Sequence, residues 1–198
     1  IQKVEVLDYE ELAGLIDQEA LERFRASALH PNHPVIRGTA ENPDIYFQHC
    51  ESANPFYEAI PDIVQDYMDR ISAITGRSYH LFDYYGASDA DRVIVAIGSV
   101  TDICKEVSDA LNENGEKVGV LNVHLYRPFS VKHFIDQLPE SVKKIAVLDR
   151  TREPGAIGEP LFLDVQSAVT SSGRNIRVCG GRYAVSYTHL TLPTTPYV

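Results

Sequence analysis

The chain has 198 residues, a net charge of −10, 44% hydrophobic residues and three cysteines. That length admits one ordinary domain or a domain plus a further piece, and the apolar fraction is enough for a core. The acidic balance excludes a general nucleic-acid binder, because phosphate contacts need clustered Lys and Arg. Cys50, Cys104 and Cys179 are scattered and no Cys-x-x-Cys occurs, so the sequence carries neither a disulfide framework nor a cysteine metal motif of its own. The cysteine usage suits a reducing, cytoplasmic setting. No apolar run nears the roughly 20 residues of a membrane span. The opening IQKVEVLD is no signal peptide and reads as the middle of something longer.

Residues 1–78 read as helical and loop-rich. Asp8 followed by Glu11 predicts a capping box. Leu12, Leu15, Ile16, Ala20 and Phe24 then fall at helical spacing. HPNHPVIRGTAENPDIYF holds three prolines and a glycine, which bars a helix interior. Asn54-Pro55 is a helix start and Pro61 the start of a longer helix. Ile63, Tyr67, Ile71 and Ile74 supply its apolar stripe, and Gly76 stops it.

Residues 79–183 read as an α/β domain. Leu81 to Tyr85 is a short strand. RVIVAIGS (92–99), VGVLNVHLY (118–126), KIAVLDR (144–150) and NIRVCG (175–180) are apolar strand runs. Between them lie a helix carrying Ile103, Val107, Ala110 and Leu111 and closed by Gly115, a short helix near 130–138, and PLFLDVQSAV (160–169). Apolar strands alternating with helices predict a mostly parallel sheet, doubly wound and covered on both faces in three layers.

Two strand-to-helix turns are candidate sites. AVLDRTREPGAIGEPLFLDV (146–165) puts Gly155 and Gly158 at the C-terminal edge of a strand, where open α/β sheets bind ligands. The next helix N-terminus offers free N–H groups to an anion. Asp149, Glu153 and Glu159 crowd the same loop and oppose one. The loop is therefore read as an interface element, with Arg150 and Arg152 pairing those carboxylates. Gly98-Ser99 is either an anion-binding turn or a tight turn with Ser99 as N-cap, and the second is favoured. Arg127, at a strand end before Pro128, reaches a neighbour or solvent. His30 and His33 lack further ligands at metal spacing. His49, His80, His124 and His133 have no Ser, Cys or Asp partner at motif spacing and Gly-x-Ser-x-Gly is missing; a triad would have to be assembled in space, where sequence spacing neither shows nor excludes it.

Several strings carry a family resemblance: RGTAENPDIYFQ (37–48), NPFYEAIPDIV (54–64), FDYYGASDADRVIVAIGSV (82–100), LYRPFS (125–130), AVLDRTREPGAIGEPLFLDV (146–165) and GGRY (180–183). The order of strands and helices in 79–183 resembles the transketolase C-terminal domain. The strings themselves resemble pyruvate:ferredoxin (flavodoxin) oxidoreductase from Ile1 to Tyr183. The resemblance implies a large, homodimeric, multidomain enzyme. Such an enzyme decarboxylates pyruvate on thiamine diphosphate with Mg, sends electrons through [4Fe-4S] clusters to ferredoxin or flavodoxin, and gives the acetyl group to coenzyme A. Residues 1–78 would be the helical tail of a thiamine-related domain, and 79–183 a transketolase C-terminal-like domain.

By the same resemblance, the pyruvate-contacting and thiamine-activating residues lie upstream of Ile1 and the cluster cysteines downstream. No catalytic or metal-binding role falls on this chain, and it binds no cofactor of its own. Gly180, Gly181, Arg182 and Tyr183 border the family's coenzyme A loop, whose next glycine is replaced here by Ala184. The expected role is domain docking through Arg127, Asp149, Arg150, Arg152, Glu153, Gly155, Gly158 and Glu159. Its partners would be the other domains of the same polypeptide, with no nucleic acid and no membrane. VSYTHLTLPTTPYV (185–198) resembles the translation of a sequencing adapter, so 184–198 is set apart as non-native. The competing readings are a free-standing α/β module for a small acidic or nucleotide ligand, and an oxidoreductase for another 2-oxoacid.

Overall fold

The computed structural model describes residues 6–36, 38 and 40–183. The set-apart tail, 184–198, lies outside them. Contacts divide the chain into two units, residues 1–79 and 80–198.

The first unit is helical. The Asp8–Glu11 capping box opens α1 (Tyr9–Leu15) with both reciprocal bonds made. The single apolar periodicity expected through Phe24 is broken. Asp17 accepts from the Ala20 amide and starts a second helix, α2 (Gln18–Ala26), because a good N-cap side chain outcompetes continuation. Leu12, Ile16 and Phe24 are exposed rather than packed. Pro43 opens a helix the sequence reading missed, α3 (Pro43–Ser52), in which Asp44-Ile-Tyr-Phe47 is helical after all. A proline at the first turn costs no hydrogen bond. α4 (Asn54–Thr75) starts at Asn54-Pro55 as expected and runs straight through Pro61, which is interior rather than a start. Gly76 ends it in the left-handed region, at φ 70°. α1 and α3 pack on α4.

The second unit holds a five-stranded sheet in the order β1-β3-β2-β4-β5. The strands are β1 (Phe82–Gly86), β2 (Arg92–Ala96), β3 (Val118–Val123), β4 (Lys144–Asp149) and β5 (Arg177–Arg182). β1 runs antiparallel to β3, and all other pairings are parallel. The connecting helices are α5 (Val100–Glu113), α6 (Val131–Asp136) and α7 (Pro160–Ser172). α6 and α7 pack together, with α7 on β4 and β5; α5 packs on β1, β2 and β3. The α6–α7 face buries Val93, Val95, Leu121, Val123, Ile145 and Val147 under Phe134, Leu161, Val165 and Val169. Phe82 meets Phe134 edge-on at 5.5 Å and Phe129 at 5.3 Å.

The fold is the expected mostly parallel α/β sheet, with two departures. The stripe that announces α5 is not the face that packs. Thr101, Cys104 and Ser108 are buried, whereas Ile103, Val107 and Leu111 are exposed. Polar hydrogen bonding sets this choice: Asn112 Nδ2 donates to the Val118 carbonyl at 2.9 Å, its Oδ1 accepts from the Val118 amide at 2.9 Å, and Ser108 Oγ donates to the same carbonyl at 3.1 Å. Small side chains beside these bonds let the helix sit close to β3. The second departure is coverage. Along one row of the α5 face, Val120 is buried, its neighbours Ile94 and Ala146 are half-buried, and Cys179 on β5 is exposed. Among the described residues of this unit, no helix packs on β4 and β5 on that side.

Gly119, the second residue of β3, pairs with Gly86 and lies under the Tyr84 ring, two residues along β1. A Cβ there would overlap the Tyr84 hydroxyl and ring, while that hydroxyl donates to the Ala87 carbonyl at 2.5 Å. Gly119→Ala is expected to lower stability by about 1–3 kcal/mol through overpacking. The measurement is the urea midpoint, with Gly98→Ala excluded as a control because it has positive φ of its own.

Candidate functional site

β2 and β4 are neighbours whose chains leave in opposite directions, β2 into α5 and β4 toward α7. This is the switch point of the sheet, and the crevice beyond the strand ends there is where such sheets accept ligands. A cleft of about 360 Å³ occupies it, lined among others by Gly98, Ser99, Tyr126, Asp149, Arg150 and Tyr183.

Asp149 is the last residue of β4 and is only 5% exposed. Its two carboxylate oxygens accept from the amides of Leu161 and Phe162, each at 3.0 Å. The carboxylate thus occupies the N-terminus of α7, the place an anion would take. Burial pushes its pKa up, against the two amides that favour the charged form; Glu159 and Asp164 nearby add to the rise.

Glu159, also 5% exposed, accepts from the Glu153 amide at 2.7 Å and forms an ion pair with Arg182. The expected pairing of these carboxylates by Arg150 and Arg152 is therefore corrected. Both arginines lie exposed, and backbone amides and Arg182 do the pairing. A bond between Asp149 and the start of α7 closes the loop locally, and Arg182 is delivered by β5, next in the sheet. Sequence spacing favoured the nearer arginines. Gly158 has a packing reason: a Cβ there would sit 2.5 Å from Phe162 Cδ1. Gly180 presses on the same ring, its Cβ position 3.1 Å away. Gly155 needs its freedom for a different reason, a φ of 83°. Glu153, Arg152 and Ile157 point outward, Ile157 being 96% exposed.

Tyr183 ties the crevice together. Its amide donates to the Asp149 carbonyl at 3.0 Å and its hydroxyl to the Ile97 carbonyl at 3.4 Å. Gly181, in β5 just before it, pairs with Leu148. Arg127 does not reach out. It pairs with Asp164 at 2.6 Å and stacks on Tyr126, guanidinium carbon 4.0 Å from the ring centre. Burial and a hydrogen bond with Asp164 push the Tyr126 hydroxyl up to about 12. Sequence reading missed Tyr126 and Asp164; the first lies in the LYR string beside Arg127, the second carries no motif.

Ser99 stands at the N-cap of α5 without capping it, and Thr101 Oγ1 instead donates to the Gly98 carbonyl at 2.7 Å. A second unread group gathers at the same sheet edge: Asp83 takes His80 Nδ1 at 2.8 Å and His124 Nδ1 at 3.3 Å. The His80–Asp83 spacing of three was its one sequence signal. His30 and His33 stack at 6.0 Å, and no metal-holding group of three His, Cys, Asp or Glu occurs among the described residues. All three cysteines are free thiols.

The mostly parallel sheet, the switch-point crevice and the carboxylate-capped loop define a doubly wound α/β domain. A family model for pyruvate:ferredoxin oxidoreductase core domain II matches residues 90–187, and one for the thiamine-diphosphate-binding region of pyruvate flavodoxin/ferredoxin oxidoreductase matches residues 1–69. The chain is 62% identical over 185 residues to a pyruvate-flavodoxin oxidoreductase of Enterobacter agglomerans, covering 93% of this chain and 16% of that one. It is 55% identical over 185 residues to a pyruvate:ferredoxin oxidoreductase of Moorella thermoacetica, with the same coverages. A solved 2-oxoglutarate:ferredoxin oxidoreductase from Magnetococcus marinus overlaps 56% of this chain and 18% of that one at 18% identity and a TM-score of 0.37. The chain belongs to the pyruvate:ferredoxin (flavodoxin) oxidoreductase family. It spans about 16% of the length of these curated relatives. No helix among the described residues is long and apolar enough to cross a membrane.

Proposed function

We propose that this chain acts as a structural, domain-docking part of a larger cytoplasmic enzyme that oxidatively decarboxylates pyruvate to acetyl-CoA and delivers the electrons to ferredoxin or flavodoxin. In this reading residues 1–78 are the helical end of a thiamine-related domain and 79–183 a transketolase C-terminal-like domain, within a homodimer. The described residues alone do not make up a metal or cluster site. They hold no ligand set for Mg or for an iron–sulfur cluster, and Asp149 already fills the α7 anion position. In this reading thiamine diphosphate, Mg and [4Fe-4S] clusters are held with the help of other parts of the longer polypeptide. Gly180 to Tyr183 adjoin the coenzyme A loop and fix the direction of the chain through Arg182–Glu159 and Tyr183–Asp149.

One observation carries the docking role. Asp149 and Glu159 turn inward and brace the 150–158 loop through backbone amides, while Arg150, Arg152, Glu153 and Ile157 are left outside. Ile157, 96% exposed, and the charged Arg150, Arg152 and Glu153 beside it form the surface that this reading gives to a neighbouring domain. The exposed Tyr9, Phe24, Phe47 and Phe56 of the first unit support the same reading. In the full-length enzyme, Ile157→Asp combined with Arg152→Glu is expected to impair assembly, seen by sedimentation, with turnover falling in step with the assembled fraction. Normal assembly with lost turnover would place the loop in the chemistry instead.

A further inference from the structure

The half-covered face of the sheet is an apolar groove with a definite charge pattern. Its wall is the outward flank of α5: Ile103, Val107 and Leu111, the first two 61% and 46% exposed. Its floor is Ala146, Leu148 and Cys179 on β4 and β5, which share one face by register. The wall faces that floor. On the other flank of α5, Lys105 lies over the Tyr85 ring at 5.6 Å and Asp109 holds the Tyr85 hydroxyl at 2.8 Å, which assigns that flank to β1. A helix whose polar flank leans on β1 turns its opposite flank toward β2, β4 and β5.

The charges around the groove are separated by sign. Asp102, Glu106 and Glu113 recur at helical spacing along the crest of α5, all exposed. Lys144 and Arg177 pair in register at the far end of the floor and are exposed as well. The groove therefore has an acidic crest, an apolar middle and a basic foot.

We propose that this groove is the seat of another segment of the longer polypeptide, one with an apolar face, Lys or Arg along the edge that meets α5, and Asp or Glu where it meets Lys144 and Arg177. The proposal rests on the reading of the chain as part of a larger enzyme. Two features select this occupant. A doubly wound sheet is stable when helices cover both faces, and among the described residues of this unit no helix covers this face over two strands. The curated relatives are about six times longer than the segment matched here, so further chain is at hand to supply it. An anionic lipid surface is disfavoured by the carboxylates on the crest.

The test is carboxylate footprinting and zero-length carbodiimide cross-linking of the full-length enzyme, read by mass spectrometry. Glu106 and Glu113 are expected to label several-fold more slowly than exposed Glu140. At least one of Asp102, Glu106 and Glu113 should cross-link to a lysine of the same polypeptide outside this segment. Ile103→Ser with Val107→Ser should restore labelling of Glu106. Labelling of Glu106 and Glu113 as fast as Glu140 overturns the proposal. So do cross-links joining the α5 helices of two copies, or protection that appears only with anionic vesicles. Glu153 in the docking loop separates the two readings. If Glu153 is protected while α5 is open, the groove proposal alone fails. If both are open and no cross-link leaves this segment, the docking reading fails with it.

Discussion

Phe134→Ala is expected to destabilise the α/β unit by about 3–5 kcal/mol, the usual cost of emptying a fully buried phenylalanine site. Phe134 is wholly buried and is the apolar anchor of α6, a helix of only six residues. So short a helix has little stability of its own and is held by tertiary burial. Its ring meets Phe82 at 5.5 Å and Phe129 at 5.4 Å, so the truncation leaves two aromatic partners facing a void. Domain stabilities are about 5–15 kcal/mol, so this one change removes a large share. The check is chemical unfolding of the second unit's signal. Phe129→Ala, at a half-buried position, should cost clearly less. Equal costs for the two would mean that α6 is not anchored through Phe134.

Asp149→Ala should cost about 2–3 kcal/mol, because two buried amides of α7 lose a charge-assisted acceptor together. Asp149→Asn should cost less, since one oxygen still accepts. The pH dependence has a definite sign. Burial raises the folded-state pKa of Asp149 above its ordinary value of 3.8. Between those two values the folded chain holds more protons than the unfolded one, so this group's contribution to stability falls as pH rises through the window and is level above it. The stability advantage of the native chain over the Asn variant should therefore shrink from about pH 4 upward and then stay constant. A growing advantage would mean that the two amides outweigh desolvation. The loop should loosen in the Ala variant, visible as faster amide exchange at Leu161 and Phe162.

Much of the second unit was legible from local sequence. RVIVAIGS, VGVLNVHLY and KIAVLDR carry strands, because short apolar runs rich in β-branched residues and bounded by turn residues suit a sheet buried on both faces better than a helix. Asp8–Glu11 and Gly76 set helix ends through bonds that span three or four residues. What misled was periodicity taken as a guide to packing. α5 shows Ile103, Val107 and Leu111 on one flank, yet its buried flank is Thr101, Cys104, Ser108 and Asn112. Side-chain bonds to the Val118 backbone decide the orientation, and such bonds have no periodic signature. The same holds for the first unit, where Asp17 splits one apparent helix into two.

The candidate site divides in the same way. Its location at the strand ends, its glycines and its acidic residues stand in the sequence. Its electrostatic wiring does not. Arg182 reaches Glu159 because β5 lies beside β4, and Asp149 reaches α7 because the loop folds back onto its own strand. Arg127 finds Asp164 on α7, 37 residues further along the chain. The sequence by itself determined the element types, the mostly parallel class and the family, because these rest on local patterns and on long specific strings. The tertiary structure alone decided which charges meet, which flank of α5 is left bare and which loop residues face outward. Those depend on distances between residues far apart in the chain, which only the completed sheet brings together.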